Sequence, residues 1–429
     1  MKRSDLYILK NLAGADYLLP VGQKAAMFPK SIRLNETGRF LWEQLRTEKS
    51  EEELAKTCAE HFEVPDGQYE QVKNDVHVFT EALWARGMLK ADSEISGSGN
   101  SDKDIKKDLY ECRFDSKDGS IKELSEELPH YADLLIGGRI ISFWGDEKYF
   151  SKEFDIFKTE ENKCGMRIEI IPVKVDGKTD SGHRMIGLGN CSENVYRDYP
   201  KSVLRHPDLN VQEYENKYVL FLWCMKDIYE IHMKKDGSLA RFYCKDISGL
   251  EEDIFYAIRL VFLVYALKQD LIMLHSVSIL YNDKAWLFSA SSGTGKSTHA
   301  EIWKKIYGTP VINGDLNLIG IKDGTPVIYG TPWCGTSGVC DNLIHNLGGI
   351  VLLKRGDNII EELSEEQKML YLQKRLTSPV WNEEMLDKEL EILKEIIPKV
   401  YIKRYYCNMK DETVKHIRED IDIWEKKIE

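Results

Sequence analysis

This sequence of 429 residues lacks the marks of a secreted or membrane protein. Its nine cysteines are scattered, odd in number and without a Cys-x-x-Cys pair, which argues against a disulfide framework or an obvious zinc site. Residues Met1–Leu19 contain no apolar signal core. The longest apolar stretch, Ile254–Leu267, is interrupted by Arg259 and is shorter than the roughly 20 residues of a membrane helix. We expect a cytoplasmic protein without a membrane span, and a buried core helix at Ile254–Leu267.

An excess of positive charge is also absent. The chain has 59 basic and 71 acidic residues, for a formal net charge of −12. Binding to nucleic acid through phosphate neutralisation needs clustered Lys and Arg, so we expect no nucleic-acid partner. The apolar fraction of 42% is sufficient for real cores, and the length predicts several domains.

The clearest boundary is a polar, Gly- and Ser-containing segment at 91–108, which is typical of a flexible linker. It separates a small front module, residues 1–90, from the remainder. Residues 109–250 contain alternating runs such as Met166–Val173, which predict a β-rich segment. Residues 251–429 contain the motifs of a catalytic domain.

The front module reads as a few short strands followed by three helices. Asn35 is placed to cap the first helix, Ser50 and Glu53 form a capping box for the second, and Asp66 is expected to start the third. This order predicts a small winged-helix-like unit. The third helix carries acidic residues such as Glu70 on its exposed side, which makes DNA binding and a regulatory role in transcription an unfavoured alternative.

Three stretches of the front module resemble the PqqD-like family: Leu34–Trp42, Asp75–Phe79 and Leu83–Leu89. The resemblance covers residues 1–90. It implies a domain that captures the leader of a ribosomally made precursor peptide as an added strand on a sheet edge. The alternative interpretation is a small packed domain without this role.

A glycine-rich run at Ser289–Thr298 lies between a predicted strand, Lys284–Ser289, and a predicted helix, Thr298–Tyr307. Strand, glycine-rich loop and helix are the context of a phosphate-binding loop, although Ala290 replaces the first glycine of the pattern. We expect ATP with Mg²⁺ as the ligand, Lys296 to reach the phosphates and Ser297 to ligate the metal. The predicted nucleotide-binding residues are Ser291, Ser292, Gly293, Thr294, Gly295, Lys296, Ser297 and Thr298.

The sequence around the loop resembles the HPr kinase/phosphorylase family and its phosphoenolpyruvate carboxykinase-like relatives. The resemblance lies in Leu274–Ser276, Ile312–Asp315, Tyr329–Gly338 and Leu352–Arg355, and covers roughly 250–410. It implies His275, Lys296 and Asp315 as catalytic residues, with Asp315 and Ser297 at the metal. Where the family has two adjacent acids, this chain has Gly314 and Asp315.

Asp315 is therefore the candidate both for metal contact and for the general base. The loop Thr331–Gly338 is interpreted either as a lid over the substrate or as a structural turn. Arg355 and Arg375 are candidate phosphate contacts, although a structural or solvated role is the simpler interpretation.

The sequence thus predicts an α+β and α/β protein: a PqqD-like module, a linker, a β-rich segment and a kinase-like phosphate-loop domain. The function that we expect is phosphorylation of a Ser or Thr hydroxyl of a precursor peptide held through its leader. A monomer and a homo-oligomer are both compatible with the sequence. The alternative is a weakly active or inactive, nucleotide-responsive peptide-binding protein.

Overall fold

The computed structural model describes residues 1–22, 31–90, 128–161, 163–173, 201–205, 209–222, 224–291, 293–408 and 410–428. The predicted linker at 91–108 and parts of the segment 109–250 lie outside these residues. The described residues divide into two compact units. Residues 1–22, 31–90 and 380–383 belong to the first, and the others to the second.

The first unit combines short antiparallel sheets with three helices. Its strands are β1 (Lys2–Arg3), β2 (Tyr7–Leu12), β3 (Ala15–Pro20), β4 (Ile32–Leu34) and β5 (Leu89–Lys90). Its helices are α1 (Glu36–Gln44), α2 (Glu51–His61) and α3 (Tyr69–Trp84). The order β2–β3–β4 leaves β4 at an edge of its sheet among the described strands.

The first two helices of this unit each begin directly after a residue whose side chain caps the helix. Asn35 accepts a hydrogen bond from the Gly38 amide, and Ser50 and Glu53 form a reciprocal capping box, as predicted. Asp66 opens a short 3₁₀ turn instead of the α-helix, which begins at Tyr69. The helices pack around a core in which Trp42 is fully buried.

The second unit contains two nine-stranded sheets, of which the first spans the predicted β-rich segment. Its strands are β6 (His130–Ile136), β7 (Arg139–Trp144), β8 (Lys158–Thr159), β9 (Cys164–Val173), β10 (Lys201–Arg205), β11 (Leu209–Glu213), β12 (Lys217–Leu222), β13 (Ile228–Lys234) and β14 (Leu239–Lys245). They follow the order β10–β11–β12–β13–β14–β9–β7–β6–β8. Alternation places Ile168 and Phe242 in the core, while Glu169 pairs with Arg241 at 2.7 Å on the opposite face.

Helix α4 (Glu251–Lys268) connects the two sheets along the chain. It is apolar around nearly its whole circumference, which is typical of a helix enclosed by protein. This confirms the predicted buried helix at Ile254–Leu267. No helix among the described residues is long and apolar enough to cross a membrane.

The second sheet carries the glycine-rich segment Ser289–Thr298, which is the predicted phosphate loop. Its strands are β15 (Ile272–His275), β16 (Val277–Tyr281), β17 (Lys284–Ser289), β18 (Val311–Asn313), β19 (Leu316–Lys322), β20 (Thr325–Tyr329), β21 (Ile344–Arg355), β22 (Ile359–Glu362) and β23 (Tyr401–Cys407). Strand β21 runs parallel to both β17 and β23, so the three strands end at the same edge of the sheet. The β16–β17 hairpin turns at Asn282 and Asp283, both at positive φ, as a tight turn of this type requires.

Four helices flank this sheet: α5 (Lys296–Tyr307), α6 (Glu365–Gln373), α7 (Glu383–Ile396) and α8 (Asp411–Ile428). Ser364 and Gln367 form a capping box at the start of α6. Helices α5 and α8 pack over β17 and β23, with Trp286 and Trp303 fully buried between them. The predicted mixed α/β architecture is confirmed.

Candidate functional site

The phosphate loop joins β17 to α5. Gly293 and Gly295 have φ values of 73° and 108°, a left-handed conformation that side-chain-bearing residues rarely adopt. Gly295 is the N-cap of α5, so the first free amides of the helix face the loop. Thr294 donates its amide to the Ser291 carbonyl at 3.2 Å, which closes the turn. Ser292 lies outside the described residues.

Ala290, which departs from the glycine pattern, is fully buried and is not among the residues at positive φ. An L-residue therefore occupies this position without backbone strain. The substitution leaves the glycines that the turn requires, Gly293 and Gly295, unchanged.

Lys296, the first residue of α5, extends back over the loop, with Nζ 3.5 Å from the Ala290 carbonyl oxygen. Burial lowers the pKa of Lys296, and the charge of Asp315 opposes this shift. The ammonium group and the carboxylate thus belong to one electrostatic centre. Ser297 and Thr298 lie on the exposed first turn of α5.

His275 and Asp315 form a direct pair. His275 Nε2 lies 3.1 Å from Asp315 Oδ1, and each side chain is about one third exposed. The hydrogen bond from His275 is the main influence that lowers the pKa of Asp315, and the charges of His275, Lys296 and Arg259 act in the same direction. The carboxylate is ionised at neutral pH and accessible to a ligand.

Backbone hydrogen bonds hold both members of the pair. The Asp315 amide donates to Asn313 Oδ1 at 2.9 Å, and the Asp315 carbonyl accepts from the Ser276 amide at 2.9 Å. Ser289 Oγ, at the end of β17, donates to the His275 carbonyl at 2.7 Å. These bonds tie the pair to the strand that carries the phosphate loop, which explains how residues distant in sequence meet.

The segment Thr331–Gly338 packs against this pair. A Cβ atom at Gly335, which has φ 63°, would lie 2.8 Å from Asp315 Cβ. Thr331 is fully buried and accepts a hydrogen bond from Asn313 through its carbonyl oxygen. Of the two interpretations given to this loop, these contacts favour a structural support for Asp315.

Two arginines contact the phosphate loop directly. Arg355 Nη2 donates to the Gly293 carbonyl at 3.0 Å, and Arg375 Nη2 donates to Ser291 Oγ at 3.0 Å. The sequence favours a structural or solvated role for both, and these hydrogen bonds to the loop agree with the structural one. Their contacts place two guanidinium groups beside the loop, where they add positive potential for an anion.

Arg259 is a site residue that sequence reasoning missed. It lies on α4, and in the sequence it is noticeable only as an interruption of an apolar run. Its guanidinium carbon lies 5.1 Å from the centre of the Tyr256 ring, and its charge helps to lower the pKa of Asp315. The signal in the sequence is a single basic residue within an apolar run of the helix. Burial of a charged side chain costs free energy unless the charge has a partner, so a half-buried arginine indicates an interaction.

The donor set fits the ligands that the sequence predicts. Mg²⁺ prefers hard oxygen ligands, of which the Ser297 hydroxyl and the ionised Asp315 carboxylate are candidates. No hydrogen bond joins these two side chains in the part of the chain that the structure describes. The glycines of the loop leave backbone amides free to approach phosphate closely.

The first unit has a separate groove of about 640 Å³ between β4 and α3. Ile32, Leu34, Phe79 and Leu83 give it an apolar surface, and Arg33 and Arg86 also line it. The groove runs beside the edge strand β4. An extended peptide that pairs with β4 would lay alternate side chains into it.

Comparisons with known proteins bear on both units. Residues 23–89 match the sequence profile of PqqD, described as coenzyme PQQ synthesis protein D, which confirms the PqqD-like N-terminal module. No curated protein matches the chain. A solved structure of the Hpr(Ser) kinase/phosphatase from Coxiella burnetii matches with 7% identity and a TM-score of 0.23, covering 36% of this chain and 95% of that protein. That likeness is too distant to support an assignment, so the function of the second unit is argued from its residues.

Proposed function

We propose that the protein is an ATP-dependent kinase that phosphorylates a Ser or Thr hydroxyl of a ribosomally made precursor peptide. The observation that carries the proposal is the pair of His275 and Asp315, 3.1 Å apart, beside a phosphate loop with its lysine. A phosphate loop alone indicates nucleotide binding. An ionised, accessible carboxylate next to it adds a base for an attacking hydroxyl.

The loop residues would hold the triphosphate. Amides around Gly293 and Gly295 and the N-terminus of α5 face it, and Lys296 would contact the β- and γ-phosphates. Ser297 and Asp315 would hold Mg²⁺, which when bound neutralises charge on the phosphate oxygens. Arg259, whose charge acts on Asp315, and Arg375, whose charge acts on Lys296, add fixed positive charge to this centre.

Asp315 would accept the proton of the acceptor hydroxyl as the new O–P bond forms. The bond between the γ-phosphorus and the bridging oxygen breaks, and ADP leaves with the electron pair. His275 would orient Asp315 through the hydrogen bond to Oδ1, so that the other carboxylate oxygen faces the acceptor. A general base of this kind contributes about 10²–10⁴-fold to the rate.

The first unit would recognise the leader of the peptide. Its PqqD-like sequence, the edge strand β4 and the apolar groove beside it support capture of an extended segment. Tethering through a leader raises the local concentration of the acceptor at the kinase site. The cofactors of the proposed reaction are ATP and Mg²⁺, and the partner is the precursor peptide.

The test is incubation of the full chain with ATP, Mg²⁺ and the precursor peptide encoded beside its gene, followed by mass spectrometry of the peptide. The expected result is the gain of one phosphate mass, which Asp315→Asn abolishes while ATP binding remains. Asp323→Asn is the matched control, because Asp323 lies at positive φ in the β19–β20 turn, where Asn is accommodated equally well. A peptide of unchanged mass, with ATP bound, would refute the kinase proposal.

A second candidate, a nucleotide-responsive peptide-binding protein without phosphoryl transfer, is favoured by one observation: Gly314 leaves Asp315 without a neighbouring acid. It predicts that ATP changes the affinity for the leader. It also predicts that Asp315→Asn leaves this response unaltered, which is the measurement that separates the two functions.

A further inference from the structure

A cavity of about 440 Å³ lies beside the phosphate loop, at the edge where β17, β21 and β23 end. Ligands of open α/β sheets bind outside the carboxyl ends of parallel strands, and small-molecule pockets have volumes of roughly 300–1,000 Å³. Ser291 and Thr294 of the phosphate loop form part of its wall. The cavity is therefore continuous with the loop and large enough for a further part of the same ligand.

Positive charge dominates this cavity. Among the described residues that line it, five are cationic and none is a carboxylate; the cations are Lys354, Arg355, Lys374, Arg375 and Arg404. Burial and the neighbouring Arg404 lower the pKa of Arg375, and burial and Arg375 lower that of Lys374. Like charges held together in this way are relieved by an anionic ligand.

The cavity also has a flat surface. The guanidinium carbon of Arg404 lies over the Tyr371 ring, 4.0 Å from its centre, and Glu361 holds Arg404 through an ion pair at 3.1 Å. A planar guanidinium fixed on an aromatic ring offers a face on which a nucleobase can stack. A ligand with both negative charge and a planar ring matches the two properties of this cavity.

The cavity is a neighbour of the His275–Asp315 pair and not the same site. Among the described residues, its lining includes Ser289, Ser291 and Thr294 but neither His275 nor Asp315. The His275 amide donates to the carbonyl of Arg375, which lines the cavity, at 3.1 Å. A nucleotide whose phosphates lie in the loop could therefore reach the cavity with its nucleoside end.

We propose that this cavity is the nucleoside subsite: the adenine ring stacks on Arg404, supported by Tyr371, and Arg355 and Arg375 contact the α-phosphate. The inference rests on the nucleotide binding in the proposed function, and adds residues that determine how the nucleoside end is held. The nucleoside subsite can be tested by ATP binding alone, without phosphoryl transfer and without a peptide.

Calorimetric titration of the full chain tests the assignment, with Mg·ATP and Mg·tripolyphosphate as the two probes. For Arg404→Gln, the Kd for ATP is expected to rise by about tenfold or more, the range of a lost base–stacking contact. The Kd for tripolyphosphate should change by less than about twofold if distant charge is well screened. Arg418→Gln is the matched control, since Arg418 also lies over a tyrosine, Tyr307, and pairs with Asp422 away from the cavity.

Photolabelling with 8-azido-ATP provides a second measurement that needs no variant. Label is expected in the peptides that contain Tyr371 or Arg404, and excess ATP should prevent it.

Label confined to other peptides, or an equal loss of affinity for ATP and tripolyphosphate in Arg404→Gln, would overturn the assignment. So would unchanged ATP affinity with weakened binding of the acceptor peptide, which would make the cavity a site for acidic peptide. Failure of the wild-type chain to bind ATP would also refute the nucleoside-subsite assignment. ATP binding without phosphoryl transfer would refute the kinase proposal and leave this assignment intact.

Discussion

A Cβ atom at Gly314 would lie 2.0 Å from Ser337 Oγ and 2.6 Å from Ser337 Cβ. The space beside Asp315 is thus filled by the segment that follows Trp333. Gly335 of the same segment also packs against Asp315. In this arrangement, position 314 has no room for a second acidic side chain beside Asp315.

Gly314→Asp is expected to disturb the site instead of restoring a second acid. The new side chain overlaps Ser337, and overpacking of this kind costs about 1–3 kcal/mol. Ser337→Gly should recover part of the loss, because it removes the overlapping atoms. Thermal unfolding of the single and double variants measures this coupling. Strictly additive effects would show that Gly314 and Ser337 are not in contact.

Gly335→Ala should reduce phosphoryl transfer more than ATP binding. The added methyl group lies within 3.3 Å of three atoms of Asp315, so the carboxylate must move, whereas the phosphate loop is untouched. Gly338→Ala is the matched control: it has a similar φ of 60° and no atom within 4 Å of the added carbon. Equal effects of the two substitutions on kcat would mean that backbone strain, and not displacement of Asp315, is the cause.

His275→Ala should move the acidic limb of the kcat/KM profile to higher pH. The hydrogen bond from His275 stabilises the charged carboxylate, so its removal raises the pKa of Asp315 toward the ordinary value. His345→Ala serves as the comparison, since His345 pairs with Asp341 at 3.0 Å. The measurement is kcat/KM as a function of pH for both variants. An unshifted acidic limb in His275→Ala would argue that His275 does not lower the pKa of Asp315.

Glu389, on α7, is expected to weaken the fold as pH rises. Burial raises its pKa to about 8, and its partner is the Gln373 amide. Between its ordinary pKa of 4.5 and about 8, the unfolded chain loses this proton while the folded chain keeps it, so stability falls with rising pH.

Glu389→Gln removes that titration. Its Tm relative to wild type should therefore be higher at pH 8 than at pH 5. Glu391→Gln, an exposed change on the same helix, should show no such dependence. Parallel Tm curves for wild type and Glu389→Gln would contradict a neutral, buried Glu389.

Ala82→Glu should weaken leader binding by about tenfold or more, because it places a carboxylate in the apolar groove beside β4. Ala85→Glu introduces the same side chain at the exposed C-cap of α3, outside the groove. Fluorescence anisotropy of a labelled leader peptide compares the two. Similar affinities would place the peptide elsewhere on the protein.

Local patterns predicted local structure well. The cap at Asn35, the capping box at Ser50 and the glycine-rich loop all depend on neighbours within a few residues. The prediction of His275 and Asp315 as catalytic residues came from family resemblance, and the structure places these two side chains 3.1 Å apart.

Long-range packing was the part that sequence did not predict. Nothing near Arg259 in the chain indicates that α4 brings it toward Asp315, and the roles of Gly335 and Ser337 depend on a contact across a loop. The cationic cavity joins β21, α6 and β23, segments whose basic residues look solvated one by one. Only the fold makes these charges neighbours.

Strand β4 is only three residues long. Such a short edge can form few backbone hydrogen bonds with an added strand. Those bonds join main-chain groups and do not discriminate between side chains. It also offers little template for sheet-to-sheet aggregation of the free protein. Discrimination between leaders must then come mainly from how their side chains fill the neighbouring groove. Leaders with the same pattern of apolar residues should therefore be interchangeable, even where the rest of their sequence differs.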